Sequence, residues 1–555
     1  MSESQLLLDR VYHWEKTTPN QLYMTQPFGG DRIEEYSWKR TVDEARRMAS
    51  YLKSLDLPAG SRIGILSKNC AHFIMSDIAI WMAGHVSVAL YPTLAAETVR
   101  YCLEHADAKL LFVGKLDGWN EMKEGVPEGM PCVSYPLSPP NDFPTWETLI
   151  KAHEPLAESP SRTLEEMAII VYTSGSTGQP KGVVHSFGTI GVTADNFVRL
   201  FNVTGSDRLI SYLPLAHVFE RAAIECLSVF SGAQVFFADS LDTFVQDIQR
   251  ARPTMFQSVP RLWLKFQLGV FSKMPPKKLD LFLKIPILNN IVRKKVLTGL
   301  GLQDTRLAIS GSAPIPPELI GWYRSLGLEL LEGYGMSENF CYSHMARPGR
   351  VRPGYVGEPD PGCEVRISEA GEILVKSPAN MLGYYMDEER TKESFTEDGF
   401  LKTGDRGEED ELKRLKITGR VKELFKTSKG KYVAPAPIEN LINTDNHVEV
   451  SCVSGSGQPA AYASIMLAPD VKAKLGDPAQ KAAIAKELEA LLDSVNSRIE
   501  NFEEMQFFVV VKDDWQIENG FLTPTMKIKR NVIEETYEPK LEGWYKSKQR
   551  VIFEQ

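Results

Sequence analysis

The chain of 555 residues has no C-x-x-C pair, no apolar run long enough to span a bilayer, no excess of positive charge, no internal repeat and no low-complexity tract. Each absence removes a class of protein. Seven cysteines (Cys70, Cys102, Cys132, Cys226, Cys341, Cys363 and Cys452) are odd in number and widely spaced. That pattern speaks against a disulfide scaffold or a zinc or redox site and fits a reducing, cytoplasmic setting. With 63 basic residues against 72 acidic, the formal charge of -9 gives no field that attracts DNA or RNA, so nucleic acid is not an expected partner. The opening MSESQLLLDRVYHWEK mixes charge with apolar residues, so it reads as neither a signal peptide nor a membrane anchor.

What is present is an ordinary globular composition, 43% hydrophobic and 24% charged, in a length that suggests three or four domain-sized units or one multi-lobed enzyme. From Thr41 the pattern alternates between helix and strand. A capping box at Thr41 and Glu44 opens an amphipathic helix that ends before Pro58, and RIGIL (Arg62 to Leu66) follows as a buried strand. A helix after Asn69, a strand over Val86 to Leu90, a helix over Ala95 to His105 and a strand over Leu110 to Val113 continue the series. The fold class is therefore α/β with a mostly parallel sheet, in which ligands gather at loops beyond the carboxyl ends of strands. Near the end, Asp477 and Pro478 start a helix whose Ile484, Leu488, Leu491, Leu492, Val495 and Ile499 stripe is core packing.

One segment reverses the charge trend. Residues 265–301 carry eight basic side chains (Lys265, Lys273, Lys277, Lys278, Lys284, Arg293, Lys294, Lys295) against Asp280 alone, interleaved with Leu281, Phe282, Leu283, Ile285, Ile287 and Leu288. A solvated basic face over a local core and a peripheral membrane contact are both open readings.

The strongest chemical signal is MAIIVYTSGSTGQPKG, Met167 to Gly182. An apolar strand runs into Thr173, Ser174, Gly175, Ser176, Thr177, Gly178 and then Lys181. Glycines turn backbone N–H groups toward an anion, hydroxyls add uncharged donors, and the lysine supplies a point charge. A Walker loop runs directly from lysine into a helix, whereas Pro180 and Gly182 flank Lys181 here, so the segment is expected to stay a loop and a P-loop NTPase is rejected. Two further strands, RLAIS and LGLEL, are expected to open into small-residue loops at Gly311, Ser312, Ala313 and at EGYGMSE, Glu332 to Glu338. Tyr334 offers a flat face, Ser337 a hydroxyl and Glu338 a hard oxygen for Mg²⁺, although in isolation a Gly-Tyr-Gly turn with a capping serine is the better reading. Asp405 follows a turn in LKTGD, and Arg420 lies in TGRVKELFK. Read alone, both pass as surface turn residues.

The string YTSGSTGQPKG resembles the signature of the adenylate-forming superfamily, and the later motifs follow in that family's order over about Thr41 to Arg530. The resemblance implies a large N-terminal part, residues 1–421, with mostly parallel sheets flanked by helices, and a small mobile α+β lobe, residues 422–555, hinged at Lys422. It implies an ATP/AMP site that adds Gly333 and Gly335 to the residues above, with Asp405 and Arg420 on ribose and phosphate. LTPTMKIKR aligns Lys527 with the catalytic lysine, although Met526 stands where that motif usually has glycine. After the Pro-Lys-Gly, many members have Thr-His where this chain reads Val183, Val184, His185, so no role passes to His185. Gly430, in TSKGKYVAP, is implied to face the pantetheine arm of CoA once the lobe has turned.

LPLAHVFERAAIE, Leu213 to Glu225, is similar to the version in long-chain fatty acyl-CoA synthetases, where the position of His217 gates the acyl tunnel. The implied activity is a ligase that joins a medium- to long-chain fatty acid to CoA through acyl-AMP, with Mg²⁺ as cofactor and ATP and CoA as co-substrates. Transfer to a carrier protein and a catalytically silent nucleotide-binding homologue are the alternatives. The five residues Lys181, Glu338, Asp405, Arg420 and Lys527 together argue against the silent one.

Overall fold

The computed structural model describes residues 6–173, 179–517, 519–523 and 526–554. A seven-stranded sheet runs in the order Gly383–Tyr384, Lys181–Ser186, Met167–Thr173, Val86–Leu90, Arg62–Leu66, Ala108–Val113, Cys132–Ser134. Its middle is parallel and its Lys181–Ser186 and Gly383–Tyr384 edge antiparallel. The parallel strands are apolar and buried along nearly their whole length, as burial on both faces requires. The connecting helix Ala71–Met82 is buried at every residue.

A second, five-stranded sheet sets Met255–Ser258, Leu307–Ser310 and Leu330–Tyr334 in parallel, then adds His344–Met345 and Glu358–Pro359. A third places Leu401–Glu409 antiparallel to Leu415–Arg420. From Phe425 on, a four-stranded sheet of Val448–Ser454, Ala461–Leu467, Met505–Val510 and Val551–Phe553 is packed by helices Pro435–Ile442 and Pro478–Asn496. Two hydrophobic clusters draw only on residues from Phe425 onward. Asp477 caps the second of those helices by accepting from the Ala479 N–H, and Ile484, Leu488, Leu492 and Val495 are buried as the stripe predicts.

Four local expectations change. The first amphipathic helix spans Trp38–Ser54 and its cap is Ser37, whose hydroxyl accepts from the Arg40 N–H. Thr41 and Glu44 lie inside the helix and are buried, Glu44 accepting from Arg40 and from the Trp146 indole. The strand expected over LGLEL starts where that string ends: Gly327 turns with φ 86°, and Leu330–Tyr334 is the strand, so Glu332, Gly333 and Tyr334 stand on it and not in a loop. Lys181 and Gly182 begin a strand because Thr173 and Lys181 pair directly across a hairpin. Asp405 likewise lies within a strand, opposite Arg420.

Candidate active site

The site forms where the ends of these sheets meet the C-terminal lobe. Because Asp405 and Arg420 are cross-strand partners, their side chains fall together, and the Arg420 Nε–H donates to Asp405 Oδ1 at 2.9 Å. The second carboxylate oxygen, Oδ2, accepts from the Tyr334 hydroxyl at 2.8 Å. Three residues from three strands thus form one bonded corner. Burial and then the Asp405 charge push the Tyr334 phenol up, so it stays a donor. Burial works against the Arg420 charge, but Asp405 and Glu423 more than restore it.

The next corner surrounds Glu338. Ser337–Asn339 form one tight turn after the strand, and Glu338 Oε1 accepts from the Tyr384 hydroxyl at 2.7 Å. Tyr384 sits on the edge strand beside Val183, and its ring faces the Lys181 ammonium at 5.3 Å. Burial and the nearby Arg390 lower the Lys181 pKa, with Glu338 pulling the other way. Lys181 and Glu338 therefore share a face bridged by Tyr384. Ser174, Gly175, Ser176, Thr177 and Gly178 lie outside the described residues, and the loop's two ends, Thr173 and Lys181, are held in register.

Gly335 has no freedom to be another residue, since a Cβ there would stand 2.5 Å from the Cys341 backbone. Gly311 follows the strand Leu307–Ser310 and lies against Phe219, while Ser312 takes φ 67°. Phe219 belongs to the segment bearing His217, so Gly311, Ser312, Ala313 and that segment share one wall. Burial, then the Lys527 charge, lower the His217 pKa to about 3, and its Nδ1 accepts from the Phe219 N–H at 3.2 Å. His217 is a neutral imidazole.

Lys527 arrives from the C-terminal lobe. Its loop is closed by the Thr523 and Lys527 backbones, with the Thr523 N–H donating to the Lys527 carbonyl at 2.8 Å. The side chain is reached by solvent yet hemmed in by protein. That enclosure lowers its pKa, as does Arg420, while Asp405, Cys341 and Glu423 act in the opposite sense. Met526 sits at φ 61°, the left-handed region where the usual glycine would carry no penalty. The neighbouring cations differ sharply: Arg530 is partly buried and binds Glu439 through both of its terminal nitrogens, at 2.7 and 2.9 Å. Lys422 is exposed in the short turn Val421–Glu423, and Gly430 lies at φ 80° in an exposed turn away from this cluster.

Three supports are not visible in the motifs. Tyr384, 46 residues from Glu338, fixes that carboxylate. His185 is buried and neutral, its pKa lowered to about 4 by burial, and its Nε2–H donates to the Ser337 carbonyl at 2.7 Å. Glu220 is buried below the His217 segment, its Oε1 accepting from the Tyr212 N–H, Ser211 hydroxyl and Asn69 amide. It ties the end of one strand to the His217 turn. Burial raises its pKa to about 8. Its place three residues after His217 is the only sequence signal.

Residues 11–385 match the AMP-binding enzyme family, and residues 423–549 match its C-terminal domain. The chain belongs to the AMP-binding enzymes. Long chain acyl-CoA synthetase 6 of Arabidopsis thaliana, a peroxisomal protein, is 31% identical over 93% of this chain and 82% of its own length. A long-chain-fatty-acid–CoA ligase of Mycobacterium bovis is 30% identical over 91% of each chain. Among solved structures, the A domain of a carboxylic acid reductase from Segniliparus rugosus with AMP superposes with a TM-score of 0.80 at 22% identity, over 98% of this chain and 94% of that one. An anthranilate CoA ligase with anthranoyl-AMP gives 0.79 at 21%, over 97% and 98%. These place the AMP-binding enzyme described here in the same mixed α/β fold, with a large N-terminal part and a smaller C-terminal one.

Proposed function

We propose that the protein activates a medium- to long-chain fatty acid with ATP, forming acyl-AMP and pyrophosphate, and then transfers the acyl group to CoA with release of AMP. The observation that carries this reading is Lys527 of one lobe standing among Arg420, Asp405 and His217 of the other. In the first step the acid's carboxylate oxygen attacks the α-phosphorus and the bond to pyrophosphate breaks. The Lys527 ammonium contacts carboxylate and α-phosphate and stabilises the charge that builds there. Asp405 accepts the ribose hydroxyls while Tyr334 flanks the adenine, and Lys181 with the hydroxyl loop steadies the departing phosphates. His217 lines the mouth of the acyl channel as an uncharged group, suited to an apolar chain beside it.

Mg²⁺ fits Glu338. Among the described residues no cluster of three metal-ligating side chains occurs, so phosphate oxygens and water would supply its other ligands, as this cation prefers. Bound there, it neutralises phosphate charge. In the second step the thiolate of CoA attacks the acyl carbon and AMP leaves. That step requires Lys527 to withdraw, by a turn of residues 422–555 about Lys422 that brings Gly430 to the pantetheine arm. Seven free thiols support a reducing, cytoplasmic setting.

The test is acid-dependent conversion of ATP to AMP and pyrophosphate over fatty acids of graded length, with thioester read by mass spectrometry. Thioester formed only with CoA supports the ligase. Turnover without any CoA thioester moves the acceptor to a carrier protein, and no turnover with any acid refutes the reading.

A further inference from the structure

The segment 265–301 folds into three helices, Pro260–Lys273, Pro276–Lys284 and Leu288–Gly299. The first turns Trp263 and Phe266 into a core with Phe256 and Tyr323. The other two form a hairpin whose inner side is Leu279 and Val292, with Phe282, Leu288 and Val296 packed beside them. Its outer side is unusual for a surface. Leu281 is 58% exposed, Ile285 41%, Ile287 80% and Ile291 59%, four large aliphatic side chains grouped around one turn. Leu281 and Ile285 are four residues apart, as are Ile287 and Ile291, so each pair follows one helix face to the turn.

The turn itself is strained. Ile287 takes φ 71°, a conformation that a β-branched residue adopts at a cost, and it does so with its side chain outward.

Around this apolar tip stand Lys277, Lys278 and Lys284 on one helix and Lys294 and Lys295 on the other, all exposed. None forms an ion pair among the described residues. The segment holds +7 against -9 for the whole, so the remaining residues carry -16. A chain whose other residues are net negative thus offers, on this hairpin, a cationic rim without ion pairs around an exposed aliphatic tip. A second copy of the chain is a poor occupant, because two such rims would repel across the contact. Solvent alone leaves the aliphatic tip unexplained.

We propose that the hairpin Pro276–Lys284 and Leu288–Gly299 docks on a bilayer containing anionic phospholipid, with Leu281, Ile285, Ile287 and Ile291 entering the headgroup boundary and the lysines meeting lipid phosphates. Partly inserted aliphatic side chains and a cationic rim are the two halves of interfacial binding. This is attachment to a surface, since among the described residues no helix is long and apolar enough to cross a membrane. The inference does not depend on which acid or acceptor the enzyme uses.

The full-length protein is sedimented with phosphatidylcholine vesicles, with or without about a third phosphatidylglycerol, at low and high salt. Two variants are compared with it: K277E/K278E/K294E/K295E and L281S/I285S/I287S/I291S. All eight positions are exposed, and melting together with ATP–pyrophosphate exchange on a water-soluble medium-chain acid checks that both variants remain folded and active. The expected result is sedimentation only with phosphatidylglycerol present, weakened by salt, and reduced about tenfold or more in each variant. Absence of binding, equal binding to neutral vesicles, or binding unchanged in either variant overturns the proposal. So does a dimer of the native protein that the serine variant converts to monomer, which would make a second copy the occupant.

Discussion

The nucleotide corner and the Lys527 loop are both built for charge, yet they are held in opposite ways. Tyr334, Asp405 and Arg420 stand on strands and bond to one another, so their geometry is set before any ligand arrives. Lys527 is held only through its own backbone loop, and its ammonium makes no hydrogen bond or ion pair among the described residues. A binding site gains from preorganised partners, whereas a cation that must enter for one step and leave for the next gains from having none. Arg530, three residues on, shows that the sequence could have fixed a cation here: it is locked to Glu439 and stays within its lobe.

The contrast can be broken at its most active point. Lys527→Ala should lower ATP–pyrophosphate exchange by about 100- to 1000-fold, the scale of losing one charge-stabilising donor, while thioester formation from supplied acyl-AMP stays nearly intact. Equal loss of both half-reactions removes the assignment. At the fixed corner, Asp405→Ala leaves Arg420 without its partner and Tyr334 without its acceptor. Nucleotide binding in titration calorimetry should weaken about 10- to 100-fold, and both half-reactions should suffer. Lys422→Pro restrains the turn between lobes, so CoA-dependent thioester formation should fall about tenfold more than exchange. Unchanged thioester synthesis would argue against the hinge.

Protonation sharpens the same comparison. The Lys527 pKa lies below its ordinary value of 10.5, so its cation is lost at lower pH than that of an exposed lysine. Exchange should therefore decline on the alkaline side earlier than an exposed lysine would cause, and Lys527→Arg should move that decline to higher pH whatever it does to the maximal rate. The smallest effect belongs to Met526→Gly. Relief of the φ 61° conformation against the added freedom of the unfolded chain should change stability by no more than about 1 kcal/mol, read as a small shift in Tm.

Much of this was legible in the chain. RIGIL, Val86 to Leu90 and the strand before Thr173 are apolar runs of strand length, and they appear as written. Their period and their glycine neighbours carry the information locally. Ser37 and Thr41 both offer a hydroxyl near the start of the same pattern, and Ser37 is the cap because Thr41 lies on the buried face of the helix. Asp405 looked like a turn residue because Lys-Thr-Gly-Asp reads as one; its strand character comes from pairing with Arg420, fifteen residues away.

By itself the sequence determined the α/β class, the family and which groups are proposed to meet phosphate, ribose and acid, because each rests on residue type and short-range spacing. Only the tertiary structure decided which atoms meet. The Tyr384 hydroxyl on Glu338, His185 under Ser337 and Glu220 beneath the His217 turn join residues whose separation in the chain ranges from 8 to 152. The same holds for the aliphatic tip at Ile287. Composition places lysines and isoleucines in one segment, but which of them face inward is settled only when the hairpin finds a core to lie on.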